Sequence, residues 1–248
     1  MLTANQFIFR KFDYCDLGLI DYKKAWDLQY EIYNKRLHKE VNDTLLLLEH
    51  PHTYTLGKVA AKENLLINED QLKQQGVSVY EIDRGGDITY HGPGQIVGYP
   101  IINLSQWNED THKYLRALEE VLIQTCADFG LKGERNSKYT GVWLNDRKIA
   151  AIGIKVSRWI TMHGFAFNVN TNLSYFNGII PCGIKDKEVT SLSRELGKNI
   201  DLNEVKKVIT EKFKEVFGYD NFTEKSDVVI ISGTDANSAA KGNEFSIK

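Results

Sequence analysis

Cysteine is scarce in this chain. Its 248 residues include only three cysteines, Cys15, Cys126 and Cys182, at wide spacing. An odd number so spread is not a disulfide framework, and it fits the reducing environment of the cytoplasm. No run approaches the roughly 18 apolar residues of a membrane span, and the first residues lack the pattern of a signal peptide. We therefore expect a cytoplasmic protein that does not enter a membrane.

An excess of one charge is also missing. The chain has 31 basic and 33 acidic residues, which gives a net charge of −2. Nucleic acids and anionic membranes attract a basic excess, so neither is expected as a partner. The sequence contains no P-loop, and Gly92, Gly94 and Gly98 are spaced one residue too widely for the dinucleotide fingerprint. Nucleotide binding thus has no support from a motif.

The hydrophobic pattern predicts one α/β domain with an ordinary core. Hydrophobic residues make up 42% and charged residues 26%, as in soluble globular proteins. Strands are predicted at residues 7–12, 44–49, 77–82, 96–102, 139–144, 148–156 and 160–169, and helices at 21–40, 65–75, 110–129, 191–196 and 201–217. Because many strands are adjacent in sequence, we expect an α+β type of fold, with a mixed, largely antiparallel sheet flanked by helices. Residues 1–222 are predicted to be a single domain and 223–248 a flexible tail.

A glycine-rich stretch between two predicted strands is the most informative part of the sequence. Its glycines, which have no Cβ, let other groups approach the backbone closely. Polar side chains of different chemistry stand between them: Arg84, Thr89, Tyr90, His91 and Gln95. A polar loop held by rigid elements is typical of a binding site, although an ordinary glycine-rich turn has the same composition.

Two reactive side chains stand out elsewhere. Cys182 is predicted to lie in a loop, between Pro181 and Gly183. A thiol reacts as the thiolate and needs a cationic neighbour, for which Lys148 is a candidate. Sequence spacing leaves open whether the two meet, and a bystander cysteine and a solvated lysine are the alternatives.

Small residues are placed so that they leave space beside predicted strands. Ala150, Ala151 and Gly153 follow Lys148, and Gly164 and Ala166 alternate on one face of a later strand. Such a surface has room for an apolar chain. His50 and His52 form an H-x-H pair without a nearby third ligand, so no metal site is expected.

Several motifs in order resemble the lipoate-biosynthesis octanoyltransferases, which move octanoyl from acyl carrier protein to a lysine of a lipoyl domain. The motifs are Arg84-Gly85-Gly86-x-x-Thr89-x-His91-x-x-Gly94-Gln95, Lys148-Ile-Ala-Ala-Ile-Gly153, His163-Gly164-Phe165-Ala166 and Pro181-Cys182-Gly183. The resemblance covers about residues 8–217. It implies a fold like that of the biotin and lipoate protein ligases, with residues 1–222 as the catalytic domain.

The resemblance also implies a mechanism and a set of contacts. Cys182 would receive the octanoyl group from the phosphopantetheine thioester of acyl carrier protein, and Lys148 would lower the pKa of the thiol. Acceptors would be lipoyl domains of 2-oxoacid dehydrogenase E2 subunits and the glycine cleavage H protein, without a cofactor. The implied substrate contacts are Arg84, Gly85, Gly86, Asp87, Ile88, Thr89, Tyr90, His91, Ala151, Ile152, Gly153, Gly164, Phe165 and Ala166.

Three other functions fit these residues less well. An ATP-dependent lipoate or biotin protein ligase of the same fold needs an adenylate site and no nucleophilic cysteine. A non-catalytic acyl- or carrier-binding relative has no reason to retain both Lys148 and Cys182. A papain-like protease is disfavoured because Cys182 follows His163 and lacks the flanking sequence of that family. For acidic protein partners, the predicted docking residues are Lys155, Arg158, Lys185 and Lys187.

Overall fold

The computed structural model describes residues 10–180 and 188–225. Four parts of the sequence predictions lie outside these residues. They are the Pro181-Cys182-Gly183 motif, the docking candidates Lys185 and Lys187, residues 7–9 of the first predicted strand, and residues 226–248 of the predicted tail.

The strands that the structure describes form two sheets. In chain order they are β1 (Lys11–Leu19), β2 (Asp43–Glu49), β3 (Thr53–Leu56), β4 (Ser78–Glu81), β5 (Ile88–His91), β6 (Gln95–Ile101), β7 (Glu134–Arg135), β8 (Val142–Leu144), β9 (Arg147–Ser157), β10 (Ile160–Asn168), β11 (Glu188–Val189) and β12 (Asn221–Glu224). The larger sheet has the order β12-β1-β2-β6-β10-β9-β8-β7, with β11 also paired to β9, and the smaller has the order β4-β3-β5. Pairing in the larger sheet is parallel from β12 to β2 and antiparallel from β2 to β7. The predicted mixed, largely antiparallel sheet is confirmed.

Five α-helices lie within the described residues. They are α1 (Tyr22–Leu37), α2 (Glu69–Gln75), α3 (Thr111–Asp128), α4 (Leu192–Leu196) and α5 (Leu202–Phe217). Each begins after a polar residue whose side chain accepts a hydrogen bond from a backbone N–H of the first turn, namely Asp21, Asn68, Asp110, Ser191 and Asp201. Such caps satisfy donors that a helix cannot pair internally, so they fix where the helices start. None of these helices is long and apolar enough to span a membrane.

The leucines of β2 show how the layers are arranged. Leu45 and Leu47 pack into a core shared with α3 and α5, whereas Leu46 and Leu48 pack into a second core with α1. Successive side chains of a strand point to opposite faces. The larger sheet is therefore covered by α1 on one face and by α3 and α5 on the other, which explains the continuous apolar run of β2.

The structure corrects three details of the predictions. The strand predicted at residues 7–12 is found at Lys11–Leu19. The buried face of α1 consists of Tyr22, Ala25, Leu28, Gln29, Ile32 and Arg36, whereas the predicted face of Trp26, Tyr30, Tyr33 and Leu37 is half-buried. Thr223 and Glu224, assigned to the tail, belong to β12, which pairs with β1. The ring of Phe222 packs against Phe12 and Tyr14, and this contact holds β12 on the sheet.

Candidate active site

A cavity of about 410 Å³ lies beside β9 and β10. All the predicted substrate contacts except Tyr90 line it, and so does Lys148. These residues come from the glycine-rich stretch and from two strands that follow it by more than 50 residues. Antiparallel pairing brings the contacts of β9 and β10 together, because Ala151 pairs with Ala166 and Gly153 with Gly164.

Other lining residues were not predicted: Tyr22, Val59, Val97, Tyr99, Leu115, Lys138, Tyr139, Thr140, Ile154 and His163. Most come from elements far from the motifs in sequence. His163 stands in one of the quoted motifs but was not among the predicted contacts. Strand alternation would place it on the face of Phe165, which packs in the core with α3 and α5 and also lines the cavity. Its left-handed φ of 56° departs from extended backbone, and its ring contacts Trp26 of α1.

The polar side chains of the glycine-rich stretch form hydrogen bonds with each other and with residues of neighbouring strands. Arg84 Nη2 donates to the carbonyl and to Oγ1 of Thr55, both at 2.9 Å. Gln95 Nε2 donates to Asn168 Oδ1 at 2.9 Å, so Gln95 Oε1 is free to accept from His91 Nδ1, also at 2.9 Å. This leaves the lone pair of His91 on Nε2, at 3.4 Å from Thr55 Oγ1. The buried side chains of Arg84 and His91 thus form a pre-arranged wall of the cavity.

Burial sets the charge of the histidines near this wall. It lowers the pKa of His91 well below its ordinary value and that of His50 to about 4. Both are therefore neutral at physiological pH. His50 Nδ1 donates to the carbonyl of Ile20 and His50 Nε2 accepts from Tyr99 OH, each at 2.8 Å.

A second polar cluster surrounds Asp83, immediately before Arg84. The Asp83 carboxylate accepts from His163 Nε2 at 2.9 Å, from Tyr30 OH at 2.6 Å, and from Lys155 Nζ. The hydrogen bond from His163 is the main reason why the pKa of Asp83 lies far below its usual range, and those from Lys155 and Tyr30 add to it. Lys155, predicted to dock partners, is thus engaged inside the protein. Because Tyr30 lies on the half-buried aromatic face of α1, that face contributes a hydrogen bond to the cluster.

Glycine in β9 and β10 serves close packing more than open space. A Cβ on Gly153 would lie 2.8 Å from Arg84 Cδ and 2.9 Å from the carbonyl oxygen of Gly85. A Cβ on Gly164 would lie 2.2 Å from the carbonyl oxygen of Gly98. Ala150 is buried in the core on the α3 side, so it does not open the cavity as expected. The space comes instead from Ala151 and Ala166, which both line the cavity.

Lys148 is the second residue of β9, and it is only 8% exposed. Its Nζ sits 4.8 Å from the centre of the Trp143 ring, within the range of a cation–π contact. It also lines a small neighbouring pocket, together with Thr89, Gln95, Asn168 and Val189. A buried ammonium beside polar groups of the motif can influence a reacting thiol or amine.

Residues 21–214 match the lipoyl protein ligase A/B catalytic domain family. The chain belongs to this family.

Curated relatives of this chain carry a more specific name. An octanoyltransferase of Christiangramia forsetii is 52% identical over 219 residues, covering 82% of this chain and 94% of its own. An octanoyltransferase of Rubrobacter xylanophilus is 55% identical over 203 residues, covering 81% and 91%. These relatives confirm the resemblance seen in the motifs. They also confirm the prediction that this chain is an acyltransferase.

Solved structures confirm the fold. A bipartite lipoate protein ligase of Thermoplasma acidophilum, solved in a study of that ligase and its E2 lipoyl domain, aligns with a TM-score of 0.69 at 14% identity, over 90% of this chain and 91% of its own. A lipoate-protein ligase A bound with ATP aligns with a TM-score of 0.70 at 13% identity, over 91% and 93%.

Tyr90 was predicted as a substrate contact but lies outside the cavity. Its neighbours Thr89 and His91 line the cavity, so the ring between them points to the other face of β5. There it stacks on Tyr175, with ring centres 5.1 Å apart. Its hydroxyl lies 2.7 Å from His52 Nδ1. Tyr90 thus belongs to the core of the smaller sheet.

Tyr90→Phe is accordingly expected to affect stability rather than catalysis. Loss of the bond to His52 should lower the free energy of unfolding by about 1 kcal/mol. Urea denaturation measures this loss, and steady-state kinetics should show an unchanged KM for the acyl donor. Tyr54→Phe, which removes a bond to the carbonyl of Tyr175 in the same sheet, serves as the comparison. A raised donor KM for Tyr90→Phe alone would return Tyr90 to the binding site.

Proposed function

We propose that this chain transfers octanoyl from an acyl carrier protein to a lysine of a lipoyl domain, through a thioester on Cys182, in the cytoplasm. The observation that carries the proposal is the cavity, where three of the four motifs shared with octanoyltransferases meet, those that begin at Arg84, Lys148 and His163. The curated relatives support the acyl group, because they are named octanoyltransferases at 52% and 55% identity.

The first step is an exchange of thioesters. The Cys182 thiolate attacks the carbonyl carbon of the donor, a C–S bond to Cys182 forms, and the bond to the carrier's sulfur breaks. The departing sulfur takes up a proton and leaves as a thiol. Since one thioester replaces another, the step needs no ATP.

The second step forms the amide. The amine of the acceptor lysine, once neutral, attacks the thioester carbonyl, and the Cys182 sulfur leaves as a thiolate while the nitrogen loses a proton. Lys148 supports both steps. As an ammonium it stabilises the thiolate, and as a neutral amine it can accept the proton.

The described residues on the two sides of the Cys182 segment lie beside Lys148 and beside a residue that lines the cavity. On the C-terminal side, Val189 pairs with Lys148, and the backbone N–H of Thr190 donates to the carbonyl of Lys148 at 2.9 Å. On the N-terminal side, Ile180 N–H donates to the carbonyl of Asn64 at 2.8 Å. The side chain of Asn64 in turn donates to Asp87, which lines the cavity.

The test of the function is transfer with and without ATP. The purified chain is incubated with octanoyl carrier protein and a lipoyl domain, and the acceptor is followed by intact mass. We expect an octanoyl adduct on the acceptor that does not depend on ATP. Transfer of free octanoate only with ATP would indicate a ligase instead, and binding without an adduct would indicate a non-catalytic relative.

A further inference from the structure

The mouth of the cavity is formed by two hydrogen-bonded lips. The first lip consists of residues 57–60 and 84–87, joined by backbone bonds from Gly57 to Asp87, Lys58 to Arg84 and Val59 to Gly86. A Cβ on Gly57 would lie 2.2 Å from the carbonyl oxygen of Gly86, so the two segments touch.

The second lip consists of residues 136–140. Asn136 Oδ1 accepts from the backbone N–H groups of Lys138 and Tyr139, at 2.9 and 3.2 Å. The carbonyl of Tyr139 accepts from Trp143 Nε1 at 3.3 Å. Because the Trp143 ring contacts the ammonium of Lys148, this lip is connected directly to the reactive end of the cavity.

The two lips carry exposed positive charge. Lys58 and Lys138 are exposed, and no carboxylate of residues 10–180 or 188–225 forms an ion pair with either. The acidic residue of the lips, Asp87, already accepts from Asn64 and from the backbone N–H of Ile88. Val59 lines the cavity and is 72% exposed, which gives the first lip an apolar tip beside its charge.

We propose that Lys58 and Lys138 dock the anionic acyl donor, with Val59 as an apolar contact between donor and lip. This proposal rests on the proposed function, because it names the surface by which the donor reaches the same cavity. The acyl chain enters while it is still attached to its carrier, so the carrier must lie against the lips during that step. A phosphopantetheine arm brings its phosphodiester with it, and an ammonium is a suitable partner for that group.

The lips add two residues to the docking residues expected from sequence, of which Lys185 and Lys187 lie outside the described residues. Lys155 is bound to Asp83, and Arg158 lies in the turn between β9 and β10, beyond the His163 end of the cavity. Lys138 lines the cavity, and Lys58 is the exposed neighbour of Val59, which also lines it. Charges at the rim of an interface act mainly on the rate of encounter and on its dependence on salt.

Charge reversal at the lips tests the proposal. The double variant Lys58→Glu/Lys138→Glu is compared with Lys11→Glu, an exposed lysine on β1, which β2, β6 and β10 separate from β9. kcat/KM is measured for octanoyl carrier protein and for a small uncharged octanoyl thioester, at several salt concentrations. We expect the ratio of the two values to fall roughly tenfold in the double variant, mainly through the carrier KM, and to depend less on salt. Lys11→Glu should keep the ratio of the natural protein.

The outcomes separate this proposal from the proposed function. If the natural protein transfers octanoyl but the double variant keeps its ratio, the docking surface is wrong and the function stands. A rise in KM for the lipoyl domain alone would also overturn it, because the lips would then receive the acceptor. If the natural protein transfers octanoyl from neither donor, the proposed function itself fails. A thermal unfolding curve like that of the natural protein shows that the double variant is folded.

Discussion

Cys182→Ala is expected to reduce octanoyl transfer at least about a thousandfold, because removal of a nucleophile removes the covalent route. The natural protein mixed with octanoyl carrier protein should gain the mass of one octanoyl group, and the variant should gain none. Intact-mass spectrometry of the chain, followed by peptide mapping, measures both the adduct and its position.

Cys126 offers a matched control for this experiment. It is fully buried in α3, and burial raises the pKa of its thiol to about 12. Because such a thiol is not ionised near neutral pH, Cys126→Ala should keep both the adduct and the transfer. An adduct that persists in Cys182→Ala would place the nucleophile elsewhere in the chain.

Lys148→Met is expected to slow transfer strongly and to change the pH dependence of the reactive thiol. An ammonium favours the thiolate, so its removal raises the pKa of Cys182 towards the ordinary value of about 8.5. The thiol should then ionise only at a higher pH, and once its pKa lies above the pH the fraction of thiolate falls about tenfold for each further rise of the pKa by about 1. The rate of thiol alkylation against pH measures this change directly.

Lys206→Met is the corresponding control. Lys206 is also buried, but its ammonium binds Asp16 of β1 at 2.8 Å, and β2, β6 and β10 separate β1 from β9. Its loss should reduce stability and leave the alkylation profile in place. If Lys148→Met gives the alkylation profile of the natural protein, Lys148 positions the substrate and does not activate the thiol.

The parts of the fold that follow from short-range patterns were predictable. Apolar periodicity and polar caps locate α1, α3 and α5 within a few residues, and the leucine run locates β2. The short strands were missed. β3 and β5 have only four residues each, and they are stable because they pair with each other and cover a shared core, which no local pattern shows.

The site was predictable to the extent that motifs carry it. Residues from the glycine-rich stretch, β9 and β10 meet in one cavity as the resemblance implied, apart from Tyr90. Two lining residues were not predicted as contacts. His163 stands in a motif, but its position beside Asp83 depends on a left-handed backbone that strand alternation does not foresee. Lys138 lies on a loop that carries no motif.

The close packing of glycines also limits how this cavity can be redesigned or can evolve. Backbone and Arg84 occupy the places where side chains on Gly153 and Gly164 would go, so those positions cannot tune the cavity. Ala151 and Ala166 are already small, and substitution there can only shorten the space. Acceptance of a longer acyl chain would therefore have to come from the larger lining residues, such as Tyr22 and Tyr99. A change at Tyr99 would also disturb its bond to His50, so the routes to a new chain length are few.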